Sequence, residues 1–308
     1  MSKLDKIEEL QSLIKEDTQN FQARRELAVL LLDCGFNEEA LQHLLYLSTV
    51  FSNDDGIFYN IGIVYEKMRK FSKAKDAYEK AIELEPESID AIYNLGLVYT
   101  ELKMYQKAID CFKKVISADE NDSNSFFNLG LVYFKMQDYP MAIEYLQRTI
   151  DINDDDIYAH FYIGNILKEF GDLDAAKEKF EKVIELSPDY SWAYYNLAVI
   201  NYEQGDIYQA KENLQKTIEL NPIDFEAYKI LAKIHTKYEE FGEANMVMTE
   251  ALNNCEESGD LYYILAETFK NIDDYMDYQS YLEMAISNYQ TLSVPVAILK
   301  EKLKSIKE

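Results

Sequence analysis

Apolar residues recur along the chain as paired helical stripes, and the pairs repeat every 34 residues. The segment IYNLGLVYTELKMYQKAIDCFKKVI, from Ile92, returns as FYNIGIVYEKMRKFSKAKDAYEKAI from Phe58 and as FFNLGLVYFKMQDYPMAIEYLQRTI from Phe126. Windows opening at Phe21, Asp55, Ile89, Ser123, Ile157, Ser191, Phe225 and Gly259 keep register without an insertion and end at Leu292. Within a window, positions 4, 7, 8 and 11 share one face of a first helix, and positions 20, 24 and 27 share one face of a second. Position 7 is Leu or Ile in every window, and position 24 is always large and apolar: Leu44, Tyr78, Phe112, Leu146, Phe180, Leu214, Met248, Leu282. Position 8 is Gly or Ala throughout, and position 20 is Ala in seven windows.

Glycine inside a helix costs about 1 kcal/mol relative to alanine. Gly62, Gly96, Gly130 and Gly164, all at position 8, therefore imply a packing reason. The expectation is that they lie opposite the position-20 alanines and let two helix axes approach closely. Gly171-Asp172 and Gly205-Asp206 mark breaks between the paired helices, and Pro86, Pro188 and Pro222 follow second helices that they cannot continue. A single hairpin cannot bury its own apolar faces; stacking eight makes one continuous core.

This pattern resembles the tetratricopeptide repeat (TPR) family over about nine-tenths of the chain, window 2 matching it with Ile61-Gly62, Tyr65, Ala74, Tyr78, Ala81 and Pro86. The Leu-Gly and Ala anchors and the acidic charge argue against the pentatricopeptide RNA-binding repeat. The resemblance implies an all-α fold, a right-handed TPR superhelix (α-solenoid) of antiparallel helix pairs with terminal capping helices. Residues 1–20 read as an N-terminal capping helix, with Ile7, Leu10 and Ile14 on one face; residues 21–292 as eight repeats forming one solenoid domain; residues 293–308 as a C-terminal capping helix. A basic amphipathic helix at that end also suits a partner or membrane segment.

In this family the first helices line a concave groove, and positions 2, 5, 6, 9, 12 and 13 point into it. At positions 5, 6 and 9 of windows 2 to 6 the groove then holds Tyr59, Asn60, Ile63, Tyr93, Asn94, Leu97, Phe127, Asn128, Leu131, Phe161, Tyr162, Asn165, Tyr195, Asn196 and Val199. An asparagine amide offers both a donor and an acceptor, so one Asn suits one peptide unit of an extended ligand. The competing reading of Tyr-Asn at positions 5 and 6 is ordinary inter-helix packing. Chaperone-binding members hold a terminal carboxylate with Lys, Asn and Arg at comparable places. Windows 2 to 6 carry Tyr, Phe, Ile and Leu there, which speaks against chaperone tails. Window 7 differs: Lys229, Lys233 and Lys237 recur every four residues on one helix face. They suit an acidic segment or a terminal carboxylate, or else form a solvated face balanced by Glu239, Glu240 and Glu267.

The formal net charge of −25 excludes the basic footprint by which nucleic-acid binders neutralise phosphates. Cys34, Cys111 and Cys255 are far apart and odd in number, which gives neither a disulfide framework nor a zinc pair and suits a reducing cytoplasm. Residues 1–10 lack a signal-peptide apolar region, and no apolar run is long enough to cross a bilayer. His160 and His235 occupy packing positions, His43 has no motif partner, and the acidic run from Asp151 to Asp156 lacks the Gly and Glu of a calcium loop. The sequence therefore predicts no catalytic site, metal or cofactor. It predicts a cytoplasmic scaffold that binds a protein or peptide, with apolar side chains toward windows 2 to 5 and acidic character toward window 7. No nucleic acid, membrane insertion or small-molecule substrate is expected. A chaperone shielding an apolar segment and a regulatory subunit of a partner enzyme are the alternatives.

Overall fold

The computed structural model describes residues 2–307. Among them are eighteen α-helices, one short 3-10 turn and no strand, 80% helix in all. The helices are packed as two compact units, residues 1–159 and residues 160–308.

In the first unit, α1 (Lys3–Glu16) buries Ile7, Leu10 and Ile14. Four hairpins follow: α2 (Phe21–Asp33) with α3 (Asn37–Val50), α4 (Asp55–Lys67) with α5 (Phe71–Leu84), α6 (Ile89–Glu101) with α7 (Tyr105–Ala118), and α8 (Ser123–Lys135) with α9 (Tyr139–Ile152). Helix α10 (Ile157–Glu169) carries the boundary between units and begins the fifth repeat, with α11 (Leu173–Leu186) as its second helix. The second unit continues with α12 (Ser191–Gln204) and α13 (Ile207–Leu220), α14 (Phe225–Lys237) and α15 (Phe241–Asn254), and α16 (Gly259–Asn271) and α17 (Tyr275–Ser287). Helix α18 (Val296–Lys307) packs on α17 and buries Leu299.

The 34-residue period is reproduced to the residue. Every first helix starts at position 1 of its window and every second helix at position 17. The starts are chemically fixed: Asn20, Asp54, Asp122, Asp224 and Ser258 cap first helices by accepting a backbone N–H, and Asp138, Asp172, Asp206 and Asp274 do the same for second helices.

The stops are fixed by backbone shape. In all eight repeats the residue at position 15 has positive φ: Gly35, Gly171 and Gly205, but also Arg69, Lys103, Gln137, Glu239 and Asp273. The next N–H then reaches back to the carbonyl at position 11, as in Lys70 to Tyr65 at 2.8 Å and Asp138 to Tyr133 at 2.9 Å. This is the Schellman termination of a helix, for which glycine is preferred because a Cβ is strained there by about 1–2 kcal/mol. Lys103→Gly and Gln137→Gly are each expected to stabilise the first unit by about 0.5–1 kcal/mol, less than the strain because glycine also gains unfolded-state entropy. Urea midpoints check this; unchanged or lowered midpoints would show that these turns are not strained.

The glycines of position 8 face a different neighbour from the one the sequence suggests. A Cβ on Gly62 would stand 2.5 Å from the Tyr78 ring, one on Gly96 2.8 Å from Phe112, one on Gly130 2.6 Å from Leu146 Cγ, and one on Gly164 3.0 Å from Phe180. Position 8 thus makes room for the large residue at position 24, not for the alanine at position 20. Those four large side chains are fully buried. The physical reason is volume: a core packed at crystal density has no space for both a ring and a facing methyl.

Candidate partner-binding surfaces

In the first unit, the residues at positions 5 and 6 tie successive repeats together. The Tyr59 ring packs on Tyr78 at 5.9 Å and the Tyr93 ring on Phe112 at 5.7 Å, so position 5 rests on the core of its own hairpin. The Asn94 amide donates to the Tyr59 hydroxyl at 3.2 Å, and the Asn128 amide donates to the Tyr93 hydroxyl at 2.9 Å and to the Asn124 carbonyl at 2.8 Å. Asn60 donates to the Gly56 carbonyl at 2.8 Å. Burial pushes both tyrosine hydroxyls above their ordinary range, so they stay protonated. Asn128 thereby spends both N–H groups inside the protein, whereas the side-chain oxygens of Asn60, Asn94 and Asn128 have no partner among the described residues. What this face presents is a row of acceptors beside the half-buried Ile63, Leu97 and Leu131, with the Phe127 ring tilted against Tyr158 at 6.4 Å.

The second unit brings its predicted residues together in two places. One is a cleft of about 440 Å³ lined by Phe161, Asn165 and Lys168 of α10, Tyr190 in the turn, and Trp192, Tyr195 and Asn196 of α12. Phe161 meets Phe180 at 5.8 Å and Tyr190 at 5.3 Å, and Tyr162 at 6.0 Å. Asn196 is buried; it donates to the Trp192 carbonyl at 2.8 Å and accepts from Lys168 at 2.5 Å, so it holds the cleft wall. Val199 is half-buried on the same helix.

The other place is a cleft of about 480 Å³ between α14 and α16, rimmed by Lys229, Lys233 and Lys237 and floored by Ala232 and Ile264. Lys229 pairs with Glu226 at 3.0 Å, and Lys237 lies over the Tyr202 ring at 5.1 Å with its amine 3.3 Å from the hydroxyl. Lys233 is exposed and has no partner among the described residues. Two of the three glutamates that would balance this row are engaged: Glu267, which also lines the cleft, with Lys302 of α18 at 2.6 Å, and Glu240 with Lys211 and His235.

Sequence models of the tetratricopeptide repeat match residues 57–88, 87–155, 164–205 and 193–224, together more than half of the chain. The chain belongs to the tetratricopeptide repeat family. No curated protein matches it. Among solved structures, it is similar to MamA 41-end from Desulfovibrio magneticus RS-1, with 27% identity, 56% of this chain and 97% of that chain covered, and a TM-score of 0.53. It is also similar to YrrB, described as a TPR protein with an unusual peptide-binding site, with 30% identity, 60% and 94% coverage and a TM-score of 0.48. A TPR protein from Parabacteroides merdae ATCC 43184, at 15% identity, covers 82% of this chain and 99% of its own, with a TM-score of 0.56, and shares the fold. As a member of the TPR family, the chain is a protein-interaction scaffold.

The histidines of this TPR protein lie within its packing. His43 lies 3.2 Å from the Arg24 guanidinium, and burial, aided by that charge, keeps its pKa low. His160 is buried, and the His235 ring is 2.5 Å from Glu240. No group of His, Cys, Asp and Glu among the described residues could hold a metal ion, and no helix among them is long and apolar enough to cross a membrane. Lys168, Tyr190 and Trp192 escape a reading based on positions 5, 6 and 9: they fall at positions 12, 34 and 2. Their signal is that the chain's only tryptophan stands at a TPR position assigned to the groove.

Proposed function

We propose that the first-helix face of unit one binds an extended peptide or partner segment, with Asn60, Asn94 and Asn128 accepting its backbone N–H groups and Ile63, Leu97 and Leu131 packing on its apolar side chains. The observation carrying this reading is the row of open amide oxygens, each on an amide whose nitrogen already donates within the fold. An extended strand directs an N–H to the same side at every second residue, so a row of acceptors suits it whatever its sequence. In the second unit, the lysine cleft is proposed to take an acidic segment. The protein is proposed to act by holding its partner, without catalysis of its own, and to do so in the cytoplasm, a compartment that three widely spaced cysteines suit.

Affinity capture from native extract, repeated with Leu97→Glu plus Leu131→Glu, tests the function: the captured partner should be lost. Capture unchanged by that variant would overturn the assignment of this face. A rate change in a captured enzyme would mark a regulatory subunit, and promiscuous capture of unfolded chains a chaperone.

Two further variants separate recognition from packing. Asn94→Ala with Asn128→Ala should weaken binding by about 0.5–1.5 kcal/mol per lost bond, with no change in salt dependence. Tyr59→Phe with Tyr93→Phe removes the same inter-repeat bonds but leaves the amide oxygens. It should lower stability and spare affinity. Equal loss of affinity in both pairs, measured by calorimetry, would show that the amides act only through packing.

A further inference from the structure

We infer that the aromatic cleft of the second unit is a specificity pocket for a ring-bearing residue next to a carboxylate, the ring seated between Trp192 and Phe161 and the carboxylate on Lys168. The inference rests on the reading of this protein as a peptide binder and names what one of its sites selects.

The walls set the first half of the recognition. Trp192 is 52% exposed and meets Tyr195 edge-on at 6.1 Å, while Phe161 and Tyr190 form a second edge-on pair at 5.3 Å. An exposed indole at the mouth of a cleft of about 440 Å³ leaves apolar surface that water wets poorly and that an inserted ring would cover. Aromatic pairs of this kind are sticky toward planar or prolyl groups without fixing their charge.

Lys168 fixes the charge. Its amine is half-buried at the base of the cleft, donates to Asn196, and enters no ion pair among the described residues. Burial lowers its pKa, with Glu169 and Glu203 partly offsetting that effect from a distance. A desolvated ammonium with only an amide partner has unused donors and gains most from a carboxylate. A cationic ligand, which the rings and the charge of −25 would otherwise attract, is repelled by this ammonium. A doubly charged phosphate would add a second negative charge near Glu169 and Glu203, so the single ammonium matches a carboxylate best. Asn165, also lining the cleft, has an amide free to bond the ligand backbone.

The probe is an array of short acetylated, amidated Ser-Gly peptides with one central pair varied: Asp-Phe, Asn-Phe, Asp-Ala, Lys-Phe. The full chain is applied, and affinities are then read from the emission of Trp192, the only tryptophan. Asp-Phe should bind about tenfold tighter than Asn-Phe or Asp-Ala. Lys168→Met should erase the preference of Asp over Asn, and Lys168→Arg should restore it. Trp192→Ala, followed by calorimetry, should erase the preference for Phe over Ala. Equal binding of Asp-Phe and Asn-Phe, a preference for Lys-Phe, or no capture overturns the pocket. Peptides held by the wild type and by Lys168→Met alike, but lost with Leu97→Glu plus Leu131→Glu, would overturn it while leaving the peptide-binding reading of unit one intact.

Discussion

Gly96→Ala should destabilise the first unit, although alanine is intrinsically the better helix residue by about 1 kcal/mol. The added methyl would stand 2.8 and 2.9 Å from the Phe112 ring and 3.2 Å from Cys111 Cβ. Phe112 is fully buried and its ring is held against Tyr93, so it has nowhere to move. Overpacking of this kind costs about 1–3 kcal/mol. The remedy is visible in the register. Windows with Ala28, Ala198, Ala232 and Ala266 at position 8 carry Leu44, Leu214, Met248 and Leu282 at position 24. Glycine with a ring and alanine with an aliphatic chain are two solutions of one volume constraint, and Gly130 against Leu146, where a Cβ would stand 2.6 Å from Cγ, is a third. Phe112→Leu alone should also destabilise, by leaving a cavity. Combined with Gly96→Ala it should cost less than the sum, with a coupling of about 0.5–3 kcal/mol. Urea unfolding of the four proteins decides the matter: strict additivity would mean that positions 8 and 24 do not share a volume.

The register, the repeat boundaries and the core faces were legible because they recur: eight copies of one volume problem average out the noise of any single helix. The partner of the glycines was misread because position 20 is almost invariant alanine, and small-against-small is the simplest way to pair two small residues. The structure pairs small with large. The Schellman turns were half visible. Gly35, Gly171 and Gly205 announce them, but Arg69, Lys103, Gln137, Glu239 and Asp273 adopt the same backbone because the eight-fold packing of the hairpins imposes it. The candidate surfaces were the least legible. Position 6 was read as facing a ligand or filling space. In the first unit the nitrogen of that amide serves packing while its oxygen stays open, a division that depends on the Tyr hydroxyl one repeat earlier. Trp192 and Lys168 were passed over because they do not recur.

The lysine row was visible as spacing, but its charge balance was not. Glu267 sits one repeat on, at the position equivalent to Lys233, and would be the natural counter-charge, yet Lys302 on α18 takes it. Lys302 also donates to the Tyr263 hydroxyl at 3.1 Å, so the terminal helix is tied to the far wall of the cleft and leaves Lys233 unopposed. Lys233→Glu should therefore leave stability within about 0.5 kcal/mol, because an exposed side chain without a partner is lost. It should weaken binding of an acidic segment by about tenfold at low salt. The deficit should shrink as ionic strength passes about 0.15 M, where the screening length falls to about 8 Å. The dependence of affinity on salt should be flatter in the variant than in the wild type, since one attractive charge contact is gone. Lys182→Glu is the control: it changes the net charge equally but lies on α11, where Lys182 already pairs with Glu185 at 3.1 Å. If the two variants weaken binding to the same degree, the effect belongs to the field of the whole acidic protein, and the cleft has no special claim on the partner.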